Sequence, residues 1–357
     1  MRSRLGRLLL VCLVGLALLT VGCNKQSAPA PQGQAPAEEI KPVELRMVMF
    51  LHENAAGNFT NMWIEKVDEY SNGRIKIKVI GGPEAIPTSD QVSAVQQGVV
   101  DIANAVISPA EPFVPGITYL GRAEYSAAEL RQRGVVAFLQ EKFRPHGLYY
   151  LGASSPSEPA AQGTFFFKTK AVRKLEDFKG LKIATYAGTL KGLIEALGGS
   201  ALSVNFTEYY TALERGVADG YLIGTPGISA FGLVPVTKYW LDEPVFSGSG
   251  AFFVNLKVWE SLPQELKDAL TKATEEFEVD AEKAYADLVA QARAEASAAG
   301  VEFIKLPPED SVRFYQLYRE QSRKDVYAIV GDKREILDEL IRLVSNDDFY
   351  RLKLQPR

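Results

Sequence analysis

Ala94-Val95-Gln96-Gln97-Gly98-Val99-Val100-Asp101 and Ala212-Leu213-Glu214-Arg215-Gly216-Val217-Ala218-Asp219 lie 118 residues apart and read alike. Each is a helix end, then a glycine suited to the left-handed cap, then an apolar strand with an aspartate near its entry. Asp101 and Asp219 suit a structural role, accepting backbone N–H groups at a turn. A helix–glycine–strand unit that occurs twice predicts two similarly built α/β lobes.

Working outward, the first half holds strand patterns at Glu44–Leu51, Ile75–Val79, Val99–Val106 and Leu148–Leu151. Phe59, Met62, Trp63, Val67 and Tyr70 fall on one helical face between the first two strands. Ser89–Gln97 and Ala127–Phe143 read as further helices. In the second half, strands at 165–167, Leu181–Tyr186, Ala201–Val204 and Val217–Ile223 alternate with helices at Leu190–Leu197 and Thr207–Arg215. Such alternation predicts parallel sheets covered on both faces. Leu262–Ala299 reads as one long helix opened by Pro263, at roughly 50 Å longer than one lobe. It can bridge both. Two helices, about Glu309–Ile329 and Lys333–Ser345, follow.

At 357 residues the chain suits two domains, and 46% hydrophobic with 24% charged residues is ordinary globular composition. A net charge of −4 with no basic run argues against nucleic acid as a partner. Residues 1–22 read as a secretory signal peptide, with Arg2, Arg4 and Arg7 ahead of an apolar stretch. Removing its three arginines from 40 basic residues leaves 37 against 44 acidic ones. Cys12 leaves with the signal, so Cys23 remains alone and no intrachain disulfide forms. Thr20-Val21-Gly22-Cys23 resembles the lipobox of bacterial lipoproteins, where the thiol carries a diacylglyceryl group. Residues 23–42 then read as the lipidated cysteine and a flexible Pro/Ala/Gln/Gly tether. A periplasmic body held to a bilayer by that lipid is the expectation.

Enzyme chemistry has little to work with. There is no Gly-rich phosphate loop, no G-x-S-x-G elbow and no H-E-x-x-H. The only histidines, His52 and His146, are 94 residues apart. No catalytic group, metal or cofactor is expected.

Phe206-Thr207-Glu208-Tyr209-Tyr210-Thr211-Ala212-Leu213-Glu214-Arg215-Gly216-Val217-Ala218-Asp219-Gly220 resembles the F-x-E-x-Y-x-A-L-x-x-G-x-x-D-G signature of substrate-binding subunits of tripartite ATP-independent periplasmic (TRAP) transporters. Ser71–Ile77, Ala94–Ala103, Leu175–Ile183, Phe253-Val254-Asn255, Trp259 and Leu262-Pro263 resemble that family's other elements, in order. The resemblance implies an α/β, two-lobed periplasmic binding protein of the Venus-flytrap kind, with a long back helix bridging the lobes. Lobe I would take residues 43–155 plus about 252–290. Lobe II would take 156–251 plus about 291–357, with the C-terminal helices. The resemblance also implies a small-molecule ligand in the cleft and a separate TRAP-type membrane permease as partner. A flytrap-type sensor or scaffold, or a hydrophobic-ligand carrier without a TRAP permease, is the alternative.

The departures from the family pattern bear on the ligand. Arginines that fork onto a ligand carboxylate are usual at the positions of Ala184 and Thr164. The polar D-G-Q-E-N stretch reads Asp219-Gly220-Tyr221-Leu222-Ile223. Cleft candidates are Asn54, Asn104, Thr164, Phe166, Ala184, Tyr186, Phe206, Tyr210 and Tyr221. With arginines absent and aromatic rings nearby, a neutral or largely apolar ligand is expected. Arg122, Arg173 or Lys182 could supply a replacement cation. Arg122, Arg131 and Arg133 otherwise read as surface charges.

Overall fold

The structure, a computed structural model, describes residues 41–51, 58–155, 163–186, 190–245 and 250–346. The signal peptide, Cys23 and Asn54 lie outside these. The strands are β1 (Val43–Met49), β2 (Ile75–Gly81), β3 (Ile102–Val106), β4 (Leu148–Ala153), β5 (Gly163–Phe167), β6 (Lys182–Thr185), β7 (Ser200–Ser203), β8 (Gly220–Gly224), β9 (Tyr239–Leu241), β10 (Gly250–Asn255) and β11 (Glu302–Ile304). The helices are α1 (Thr60–Tyr70), α2 (Gln91–Gln96), α3 (Ala127–Gln132), α4 (Val135–Phe143), α5 (Lys191–Ala196), α6 (Tyr209–Glu214), α7 (Gly227–Ala230), α8 (Leu256–Ser261), α9 (Gln264–Ala298), α10 (Pro308–Val330) and α11 (Arg334–Val344). The helix expected over Ala127–Phe143 is two, because Gly134 sits at φ 87° and ends the first ladder.

Two sheets form, in the orders β2-β1-β3-β10-β4 and β11-β9-β5-β8-β6-β7. They are not wholly parallel. β10 runs antiparallel to both β3 and β4, and β5 runs antiparallel to both β8 and β9. The reason is connectivity. β5 is the first strand after the chain leaves lobe I, and β10 the first after it leaves lobe II. Each enters its new sheet from the end at which the neighbouring parallel strands finish.

The sequence repeat has an atomic counterpart. Asp101 N donates to Arg46 O at 3.0 Å while Arg46 N donates to Asp101 Oδ2 at 2.8 Å. Asp219 N donates to Lys182 O at 2.8 Å while Lys182 N donates to Asp219 Oδ2 at 2.9 Å. In each lobe the aspartate thus ties the start of one parallel strand to its neighbour. β3 and β8 begin only after that tie, later than the apolar pattern suggested, with Val99 and Val217 left exposed in the preceding turns.

Four buried clusters cover both faces of both sheets. α9 places Leu266, Leu270, Phe277 and Ala281 in a lobe I cluster and Ala292 and Ala296 in a lobe II cluster. This is the bridging helix expected. α10 bridges as well: Phe314, Tyr315 and Tyr318 pack in lobe II, and Val326 and Val330 in lobe I. α11 buries Leu337, Leu340, Leu343 and Val344 in the same lobe I cluster. The C-terminal helices therefore do not belong to lobe II alone. The apolar face of α11 meets Val114, Ile117 and Leu120 instead.

Candidate functional site

In parallel sheets the carboxyl ends of the strands leave a crevice where ligands collect. Here those ends meet across the lobes. Tyr285, between the lobe I and lobe II halves of α9, packs edge-on against Phe59, which opens α1 after β1, with ring centroids 6.5 Å apart. Its hydroxyl lies against Gly224, the last residue of β8, where a Cβ would stand only 3.3 Å away. Burial alone pushes the Tyr285 phenol above its ordinary range, with no charged group contributing.

On the lobe II side, three rings stack at the carboxyl ends of β6, β7 and β8. Tyr186 and Phe206 lie 4.6 Å apart at 19°, and Phe206 and Phe231 5.4 Å apart at 29°. Tyr186 is 45% exposed and Phe231 39%. Tyr209 supports Phe206 from below, edge-on at 5.5 Å, and donates to Leu222 O. Burial raises the Tyr209 phenol, against a hydrogen bond from the Tyr186 backbone.

The other expected site residues are distributed differently. Phe166 is fully buried, stacked on Tyr221 at 4.9 Å and edge-on to Trp240 at 4.8 Å, so it is a core ring. Phe165 and Phe167 are equally buried. Tyr221 is also core, its hydroxyl 2.6 Å from Thr237 Oγ1. Ala184 is buried among Phe166, Tyr209 and Tyr221. The Thr164 hydroxyl donates to the carbonyls of Leu241 and Glu243. Tyr210 is exposed beside the buried Tyr209. Asn104 is the middle residue of β3, its Nδ2 donating to Thr60 Oγ1 at 2.7 Å. Among the described residues its buried Oδ1 has no partner. Phe231, Tyr209, Phe59 and Tyr285 were not expected. Only the fold brings them to the seam.

The replacement cations differ in how they are held. Lys182 begins β6, at the end away from the crevice. Arg173 pairs with Glu302 at 2.6 Å. Arg122 Nη1 donates to Thr118 O at 2.9 Å, while its buried Nε has no partner among the described residues. Arg131 is not a surface charge. It forks onto Glu278, with Nε to Oε2 at 2.8 Å and Nη2 to Oε1 at 2.9 Å.

The family model for bacterial extracellular solute-binding protein, family 7, matches residues 51–327. The chain belongs to this family. That agrees with the resemblance to TRAP substrate-binding subunits, a family of solute-binding proteins and not of enzymes. The monocarboxylate 2-oxoacid-binding periplasmic protein of Nostoc sp. is 27% identical over 266 residues, spanning 69% of this chain and 68% of that one. A TRAP periplasmic solute-binding protein from Ochrobactrum anthropi superposes with a TM-score of 0.73 at 24% identity, covering 86% of this chain and 96% of that one. Another, from Rhodoferax ferrireducens with bound malonate, gives 0.69 at 19% identity and covers 88% of this chain and 100% of that one. These superpositions establish the two-lobed fold. No helix among the described residues is long and apolar enough to cross a membrane.

Proposed function

We propose that this chain is the solute-binding component of a TRAP-type transporter, held to the membrane by a lipid on Cys23. A small organic molecule occupies the seam where the strand ends meet. The lobes close over it, and the closed form docks on a separate membrane permease. The molecule contributes by binding the closed form better than the open one.

We further propose that the molecule is neutral or largely apolar, although the Nostoc relative and the malonate-bound structure are both associated with carboxylates. The observation carrying this reading is that Ala184 has no polar side-chain atom and Thr164 spends its hydroxyl on main-chain carbonyls. A carboxylate buried without a cation costs several kcal/mol. Calorimetry with malonate and pyruvate tests it. Weak or absent binding is expected, and tight binding of either would return the chain to carboxylate recognition.

A further inference from the structure

The three-ring stack and Tyr285 are more specific than an apolar lining. Tyr186, Phe206 and Phe231 are held nearly parallel, and the two outer rings remain well exposed. Exposed aromatic area is unfavourable in water. An offset stack of this kind extends naturally to one more ring at the same spacing. A flat molecule covers a flat face fully, whereas a puckered or branched one touches it in part.

Tyr285 adds direction. It stands where both lobes meet, and among the described residues its hydroxyl makes no hydrogen bond. Closing the lobes over an empty seam would complete the burial of that hydroxyl with no acceptor, which is unfavourable. The stack could be covered by the opposite lobe alone, but the hydroxyl would still lack an acceptor. A molecule supplying both a ring and an acceptor resolves both costs at once.

We infer that the bound molecule carries a flat unsaturated ring laid against the Tyr186–Phe206–Phe231 stack, and that Tyr285 donates a hydrogen bond to an acceptor on its edge. This rests on the proposed solute-binding function and narrows it to a ligand class.

The test compares benzamide, uracil and indole-3-acetamide with cyclohexanecarboxamide, the puckered counterpart of benzamide, and with malonate, by calorimetry on the folded chain. Benzamide should bind about tenfold tighter than cyclohexanecarboxamide, equivalent to ~1.4 kcal/mol. Phe231→Ala should remove most of that preference, weakening benzamide more than cyclohexanecarboxamide. Phe231→Leu, which keeps apolar bulk and loses flatness, should do the same. Tyr285→Phe should weaken benzamide about tenfold and keep the ring preference. Equal binding of the two amides, or full preference in Phe231→Leu, overturns the ring inference and leaves the proposed function standing. Tight malonate binding with no response to any ring probe overturns both. A radius of gyration unchanged by ring probes and already that of a closed form shows the stack covered by the other lobe, and overturns the inference.

Discussion

Arg131 on α3 and Glu278 on α9 form a two-bonded fork whose carboxylate is almost wholly removed from water, its side chain 1% exposed. Glu278 Oε1 also accepts from Ala153 N at 2.9 Å, at the end of β4 where the chain leaves lobe I. Burial pushes the Glu278 carboxyl up, against the pull of Arg131. The pair therefore fixes the bridging helix to the exit strand, and it depends on the arginine remaining in place.

We predict that Arg131→Ala costs about 3–5 kcal/mol near neutral pH, because an uncompensated charge stays buried. A carboxyl whose folded pKa is raised contributes stability below its unfolded value, near 4.3, and loses it as pH rises through the folded value. Without the arginine the folded value rises further. The penalty should therefore shrink toward pH 4. Urea unfolding at pH 4.5 and 7.5 checks this, and an identical penalty at both would refute it.

Ala184→Arg is the substitution that would restore the family's usual cation. Phe166, Tyr209 and Tyr221 already fill the space around that position. We predict a loss of about 1–3 kcal/mol from overpacking, more if the guanidinium stays buried. A variant as stable as the parent that gains affinity for malonate would show that the arginine reaches the crevice, and would place carboxylate recognition one substitution away.

Asp101→Ala and Asp219→Ala should behave as equivalents. Each leaves one backbone N–H, of Arg46 within β1 or Lys182 at the start of β6, without its carboxylate acceptor. Both bonds are exposed, so water can replace the acceptor, and a loss of about 0.5–1.5 kcal/mol is expected from each. Asp101 also forks its oxygens onto the Arg46 side chain, a largely exposed pair that adds little. Thermal unfolding of both variants side by side decides it. A loss at only one site would show that the repeat is not energetic as well as geometric.

Two further expectations concern the whole chain. Small-angle scattering should record a smaller radius of gyration when ligand is bound; no change at saturation would count against closure. Cys23→Ser should move the protein from the membrane fraction to the soluble one. Unchanged fractionation would remove the lipid anchor from the proposal.

The two-lobe plan was legible because its signals are local. A glycine cap, an aspartate at a strand entry and a helix of 35 residues are each written in consecutive positions. Strand direction is not written that way. Whether β5 and β10 run with or against their neighbours depends on which lobe the chain has just left. Nor is a helix's partner. The apolar face of α10 reads the same whether it meets one lobe or two. The site shows the same divide. Tyr186 and Phe206 were named as cleft candidates, but so were Phe166 and Tyr221, which are core rings. Alternation along a strand buried on both faces does not say which ring reaches the crevice. Tyr285 and Phe231 carried no signal, since each acquires its place only through residues far away in sequence.

The order β2-β1-β3-β10-β4 has a consequence for how the chain comes to be folded. Among the described residues β4 has β10 as its only strand neighbour, and β10 follows the whole run that makes β5 to β9. Whichever end becomes available first, the first lobe has an incomplete sheet until residue 255 is in place, and an uncovered face until α11 packs on it. Ordering such distant segments brings a loop-closure cost and a slow, late step. The lobe that begins first is thus the last to finish.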